Sequence, residues 1–115
     1  MAIFSLHHQP IGKTSQKQPH TAAAHIRYIT RPQAASLIDG ERMPLRPAKA
    51  AAYLKQMEDG DRANARVVDK IRLALPIELD APQRAALVRD FAEHITKGRA
   101  SWLAAFHDVG EDAHN

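Results

Sequence analysis

The spacing of apolar and polar positions changes along the chain, and each change marks a structural element. Residues 2–8 alternate with a period of two, Phe4 and Leu6 against Ile3 and His7, which predicts a first strand with at least one buried face. Residues 10–19 hold prolines, a glycine and hydroxyl side chains, and these predict a loop.

Residues 21–31 have the spacing of a short amphipathic helix. Thr21 is placed to cap its first turn, alanines favour the helix, and Pro32 ends it. Ala22, Ile26 and Ile29 form the apolar stripe, whereas Tyr28 lies about 200° from Ile26 around the axis and leaves the stripe. This phenol either packs at the helix rim or faces a ligand.

The remaining elements follow from breakers and caps. Residues 33–46 contain an Asp-Gly turn signal and Pro44, so we expect mostly loop. A helix is predicted from Pro47 to a terminator at Gly60, and residues 61–65 would start a further helical turn. Residues 70–75 predict a strand with Ile71, Leu73 and Leu75 on one face and Lys70 and Arg72 on the other.

Asp80 begins a third helix with a capping box to Gln83. Leu87, Phe91 and Ile95 are its expected buried stripe, and Lys97-Gly98 its stop. Residues 101–107 alternate again, and His107 falls at the end of this last strand, a position where side chains commonly meet a ligand.

These elements predict an α+β fold in which helices pack mainly on one face of an antiparallel or mixed sheet. If the first strand lies beside the last, His107 comes close to the helix of Tyr28. With 115 residues, the chain has room for one core, and we expect residues 1–115 to belong to a single domain.

Composition and charge reduce the number of function classes that suit this chain. The 44% hydrophobic content is typical of a globular chain, and the lack of cysteine excludes disulfides and cysteine-based zinc sites. Neither a membrane-spanning run nor a signal peptide is apparent, so the cytoplasm is the expected compartment. No acidic residue precedes Asp39, while this segment is rich in basic side chains: Lys13, Lys17, His25, Arg27 and Arg31. Such a segment favours a polyanion, although a solvated basic surface explains the charge equally well.

Several motifs together resemble one known family. They are Met-Ala-Ile-Phe-Ser-Leu at the start, Tyr28-Ile-Thr-Arg31, Arg62-Ala-Asn-Ala-Arg66, Ala74-Leu-Pro-Ile-Glu-Leu79, Phe91-Ala-Glu-His-Ile-Thr96 and Ala105-Phe-His-Asp-Val-Gly110. In this order and spacing the chain resembles the N-terminal portion of MobA/MobL plasmid mobilisation relaxases, within the class of His-hydrophobic-His endonucleases. The resemblance implies an incomplete relaxase-type domain that acts on single-stranded DNA at a plasmid transfer origin, together with possible accessory mobilisation proteins.

The resemblance also assigns roles. Tyr28 would be the nucleophile that nicks one strand and stays joined to its 5′ phosphate, His107 the first of three histidine ligands to Mg²⁺ or Mn²⁺, and Glu78 a residue near the site. A phenol has an ordinary pKa near 10, so such a nucleophile needs a metal, a base or a cation close by. Lys13, Lys17, His25, Arg27 and Arg31 are the expected DNA contacts.

One departure limits these expectations. In the family, the residues after Asp108 lead into Asn-Pro-His-x-His, which supplies the other two ligands, and the present sequence stops at Asn115. His114 is a weaker alternative ligand. We therefore expect this chain, as a fragment or a truncated copy, to bind no metal tightly and to lack nicking activity. A non-catalytic DNA-binding module and a small interaction protein are the alternatives.

Overall fold

A computed structural model describes residues 5–13, 16, 18–60 and 66–107. Strands and helices alternate over this part of the chain: β1 (Ser5–Gly12), α1 (Thr21–Ile29), β2 (Ala35–Glu41), α2 (Pro47–Gly60), β3 (Arg66–Ala74), α3 (Ala81–Thr96) and β4 (Trp102–His107). The predicted α+β class is confirmed. The predictions for residues 1–4, Lys17, residues 61–65 and His114 lie outside the described residues. No helix of the described part is long and apolar enough to cross a membrane.

The strands pair antiparallel in two ladders, β1 with β3 and β2 with β4. The expectation that the first strand lies beside the last is therefore wrong. The predicted loop from residue 10 is also wrong at its start, because β1 continues to Gly12 and Pro10 pairs with Asp69. A proline is tolerated there because β1 has only one partner among the described strands.

The strand β2 forms within residues 33–46, where mostly loop was predicted, and this prediction is wrong. Asp39 and Gly40 do not make a turn: they pair with Ala104 and Leu103 of β4. A Cβ atom added at Gly40 would lie 2.5 Å from the carbonyl oxygen of Trp102. A glycine is needed for this close contact between the strands. The local sequence does not show whether an Asp-Gly pair serves such a contact or a turn.

The helix boundaries depend on both local and distant partners. The predicted capping box of α3 is present, since Asp80 accepts from the backbone of Gln83 and the Gln83 side chain accepts from that of Asp80. For α1 the cap position is His20, with a φ of 63°, and Thr21 is already helical. The expectation that Thr21 caps α1 is wrong: the carboxylate of Glu58, on α2, accepts from the His20 backbone N–H at 2.9 Å.

The core lies between β1, α1 and α2. Its buried residues are Ile11, Ala22, Ala23, Ile26, Ala50, Ala51 and Leu54. The alanines let α1 and α2 approach closely, and Leu103 of β4 packs against this cluster from the second ladder. On α3, Leu87 and Phe91 are half-buried, but Ile95 is exposed and Ala92 is buried instead. The predicted α3 stripe is thus wrong at Ile95.

Candidate functional site

Tyr28 lies on the open face of α1, and 61% of the residue is exposed. The prediction that it leaves the apolar stripe is confirmed, since Ile26 is buried on the other side. Arg31 covers the ring, with its guanidinium carbon 4.0 Å from the ring centroid, and one guanidinium N–H donates to the Tyr28 carbonyl at 2.7 Å. The phenol is therefore held beside a positive charge on the surface.

Histidine 107 reaches the same end of α1 by way of β2. The turn after α1 is tight, because the N–H groups of Ala34 and Ala35 both donate to the Arg31 carbonyl, and Ala35 pairs with His107. The His107 Nε2–H donates to the carbonyl oxygen of Ile29 at 2.9 Å. That bond selects the tautomer whose Nδ1 lone pair remains available.

Arg31 keeps its charge largely uncompensated. Over the described ranges, no carboxylate lies within ion-pair distance of its guanidinium. Arg27, in the last turn of the same helix, is also exposed. The C-terminal end of α1 thus combines a phenol, an imidazole and two guanidinium groups, which suits a phosphate ligand.

The other predicted site residues lie elsewhere. Lys13 follows β1 near the opposite end of α1, where its charge helps to lower the pKa of Asp59, after the larger effect of the hydrogen bond from His20. Glu78 is exposed in the turn between β3 and α3, and no contact within the described ranges joins it to Tyr28 or His107. The structure brings together Tyr28, Arg31 and His107 at one end of α1.

His25 faces a surface groove of about 350 Å³ between β1, β3 and the first half of α1. Its lining is Gln9, Pro10, Ile11, Gln16, Gln18, Thr21, His25 and Lys70. Burial lowers the pKa of the His25 imidazole, and the positive charge of Lys70 lowers it further. Both effects favour the neutral form of the His25 imidazole.

The histidines do not form a ready metal cluster. Within the described ranges no three His, Cys, Asp or Glu side chains are grouped to hold an ion. His8 and His20 instead pair with Asp69 and Asp59, at 2.8 and 2.7 Å. The His107 ring is bonded through Nε2 to the carbonyl of Ile29, at the end of α1 where Tyr28 lies, and a single imidazole is too few ligands for a metal.

In comparison with known proteins, the chain is similar to proteins named for mobilisation and conjugal transfer, and no family model matches it. It is 35% identical over 74 residues to mobilization protein A of Escherichia coli, a match covering 63% of this chain and 10% of that protein. It is 40% identical over 67 residues to a probable conjugal transfer protein TraA of Sinorhizobium fredii, covering 55% of this chain and 6% of that protein. The chain thus matches a tenth or less of the length of these relatives, and the resemblance to mobilisation proteins is confirmed.

Some residues of this surface were missed by the sequence analysis. Gln9 and Lys70 are cross-strand partners that line the groove, but Gln9 bordered a predicted loop and its partner strand was unknown. The contact of Arg31 with Tyr28 had a local signal, since residues three apart meet on a helical turn.

Proposed function

We propose that this chain binds single-stranded DNA at a plasmid transfer origin and that Tyr28 is the nucleophile of a relaxase reaction in the complete domain. The observation that carries the proposal is the exposed phenol under Arg31, with His107 bonded to the same helix end. The similarity to mobilisation and conjugal transfer proteins supports the same role.

In the proposed reaction, the Tyr28 oxygen attacks a DNA phosphorus atom. A phosphotyrosine ester forms, the bond from phosphorus to the 3′ oxygen breaks, and the phenol proton is lost while the leaving 3′ oxygen gains one. Arg31 would stabilise the phenolate and the extra negative charge on the phosphate, because no carboxylate among the described residues pairs with its guanidinium. Both effects act more strongly on the transition state than on the ground state.

A divalent metal, Mg²⁺ or Mn²⁺, fits His107 as one of its ligands. Its Nε2–H is held by the Ile29 carbonyl, which is how metal-binding histidines are usually oriented, and Nδ1 stays free to ligate. Such an ion would neutralise charge that develops on the scissile phosphate. Glu78 remains a proposed site residue, and Lys13, Lys17, His25 and Arg27 remain proposed DNA contacts.

For the 115-residue chain itself we propose binding without nicking, as a non-catalytic DNA-binding module would behave. His107 is the proposed ligand that the described residues bring to the Tyr28 end of α1, and a single imidazole does not hold a metal tightly. The accessory mobilisation proteins implied by the resemblance remain proposed partners.

The test combines binding and covalent capture. The chain is titrated with fluorescent single-stranded oligonucleotides over a range of salt concentrations, and it is then incubated with origin DNA and Mn²⁺ before denaturing electrophoresis. We expect salt-sensitive binding and no adduct from this chain. When the chain is extended through the implied Asn-Pro-His-x-His segment, we expect an adduct that Tyr28→Phe abolishes.

Each contrary result has a distinct meaning. No binding at low salt would contradict the DNA-binding role. A Tyr28-dependent adduct from the 115-residue chain would contradict its inactivity, and an adduct that survives Tyr28→Phe would remove Tyr28 as nucleophile. Unchanged binding in Tyr28→Phe, with no adduct from the extended chain, would favour the non-catalytic module.

A further inference from the structure

The groove beside His25 has the chemistry of a nucleotide site. Lys70 and His25 provide positive charge or hydrogen-bond donors, and no carboxylate belongs to the lining among the described residues. Pro10 and Ile11 supply an apolar wall. Its volume of about 350 Å³ falls in the range of small-ligand pockets.

The glutamines of the groove divide into two kinds. Gln16 is already engaged, because its amide donates to Glu58 and accepts from the Thr21 backbone N–H. Gln9 and Gln18 are exposed, and in the described part of the chain their side-chain amides have no hydrogen-bond partner. Free amide groups are well suited to the donor and acceptor edges of a nucleobase.

The two faces of the β1–β3 ladder differ in charge. Cross-strand pairing places Gln9 with Lys70, and next to them His7 with Arg72, on the face that carries the groove. Asp69 lies on the opposite face, where it pairs with His8. A row of basic groups therefore continues from the groove along one ladder face, as a phosphate backbone requires.

The groove is also close to Tyr28 along α1. Thr21, His25 and Tyr28 are spaced by four and three residues, so they share one helix face. Three residues at 1.5 Å per residue place Tyr28 about 4.5 Å beyond His25 along the axis. A DNA strand seated in the groove can therefore continue past the phenol.

From this arrangement we propose that the groove binds one unpaired nucleotide of single-stranded DNA next to the strand position that meets Tyr28. Gln9 and Gln18 read the edge of the base, and Lys70 with His25 holds its phosphate. This inference rests on the proposed DNA-binding function and assigns to it a base-reading subsite. Burial and Lys70 lower the His25 pKa, and a phosphate bound beside the imidazole would act in the opposite direction.

The experiment measures the affinity of the chain for short homopolymers of dA, dC, dG and dT by fluorescence anisotropy at several salt concentrations. Lys70→Met is expected to weaken binding of all four about fivefold and to lower the salt slope by about 0.7, the value for one phosphate contact on a single strand. Gln9→Ala is expected to reduce the ratio between the best and worst homopolymer about fivefold. Lys97→Met, at the end of α3, is the matched charge control and should change affinity less than twofold.

A second measurement follows the His25 ring signals by NMR as a dinucleotide of the preferred base is added. We expect them to shift in the wild type, and we expect Lys70→Met to need about five times more dinucleotide for the same fraction of the shift. If the chain binds DNA but Lys70→Met behaves like Lys97→Met, the groove proposal is wrong and the DNA-binding function stands. The groove proposal is also wrong if Gln9→Ala leaves the affinity ratio between the best and worst homopolymer unchanged. It is wrong as well if the His25 signals of the wild type do not move. Absence of any DNA binding at low salt overturns both proposals.

Discussion

Two arginine side chains of this protein cover aromatic rings, and they do so in opposite surroundings. Arg31 lies 4.0 Å from the centroid of Tyr28, which is 61% exposed. Arg89, on α3, lies 5.2 Å from the centroid of Trp102, which is 9% exposed. In both pairs a guanidinium group lies over an aromatic ring. The two pairs therefore differ mainly in the burial of the ring and in the charges around the arginine.

The Trp102 pair is neutralised by acids. Arg89 donates to Asp39 and Glu41 at 2.7 Å each, and these bonds raise its pKa while holding the pKa of Asp39 below its ordinary value. The indole N–H donates to Glu93. Glu93 in turn pairs with Arg42, so each charged side chain of this cluster has an opposite charge beside it, and the cluster joins α3 to the β2–β4 ladder.

The Tyr28 pair has no such compensation among the described residues, and Tyr28 itself is 61% exposed. A cation that no carboxylate neutralises keeps its attraction for an external anion. The comparison therefore separates a pair that stabilises the fold from a pair that is available to a ligand.

Gly40→Ala should have the largest effect on stability, because the added methyl group disturbs the pairing of β2 with β4 next to Trp102. The added Cβ would lie 2.5 Å from the Trp102 carbonyl oxygen, a backbone atom, and overpacking of this kind costs about 1–3 kcal/mol of unfolding free energy. Urea denaturation measures the loss. Gly60→Ala is the matched control: nothing lies within 4 Å of its added Cβ, so it should be neutral or stabilising by up to about 1 kcal/mol. Equal losses in both variants would contradict the tight contact.

The second-largest effect should be on DNA affinity, and substitutions of the two arginines should change this affinity by different amounts. Arg31→Gln is expected to weaken binding of single-stranded oligonucleotides about tenfold at low salt, equivalent to about 1.4 kcal/mol, because the proposed contact of Arg31 with a phosphate would be lost. Arg89→Gln should leave the affinity unchanged within twofold, since its charge is already neutralised. Anisotropy titrations test this, and an equal loss in both variants would show that net charge alone governs binding.

Stability should rank the same two variants in the reverse order. Arg31→Gln removes an exposed cation–π contact and should cost about 1 kcal/mol or less. Arg89→Gln breaks the ion pairs with both Asp39 and Glu41 and should lower the urea midpoint further. A larger drop for Arg31→Gln would refute the structural role assigned to the Trp102 pair.

The smallest expected difference between the two arginine variants is in how their stability depends on pH in the acid range. The folded pKa of Asp39 is below its ordinary value of 3.8, chiefly because Arg89 donates to it. The stabilisation it contributes is therefore complete above pH 3.8 and is lost as the pH falls through the lower folded pKa. Urea midpoints of wild type and Arg89→Gln should converge in this acid range, whereas those of wild type and Arg31→Gln should stay parallel. A constant gap for Arg89→Gln would exclude Asp39 as its partner.

Local sequence signals were sufficient for much of the fold. The capping box from Asp80 to Gln83, the start of α2 at Pro47 and the alternation of β4 all depend on neighbours within a few residues. The exposure of Tyr28 followed from helical spacing to Ile26 in the same way. These features could be predicted because one turn or one strand contains all the interactions that define them.

The arrangement of the candidate site was harder to predict where it depends on residues that are distant in the sequence. The proximity of His107 to α1 was expected for the wrong reason: β2, not β1, pairs with its strand and brings the imidazole to Ile29. Strand pairing depends on residues about 70 positions apart in the sequence, and their alternation does not specify the partner.

The sequence by itself determined the order of most elements, the exposed phenol and the basic character of the first part of the chain, because periodicity and charge are local properties. Only the tertiary structure decided that Asp39-Gly40 is a strand, that Glu58 caps α1, and that among the described residues Arg89 pairs with carboxylates whereas Arg31 does not. Each of these depends on a partner brought close by folding, and the Coulomb energy of a charge is set by those neighbours rather than by its residue type.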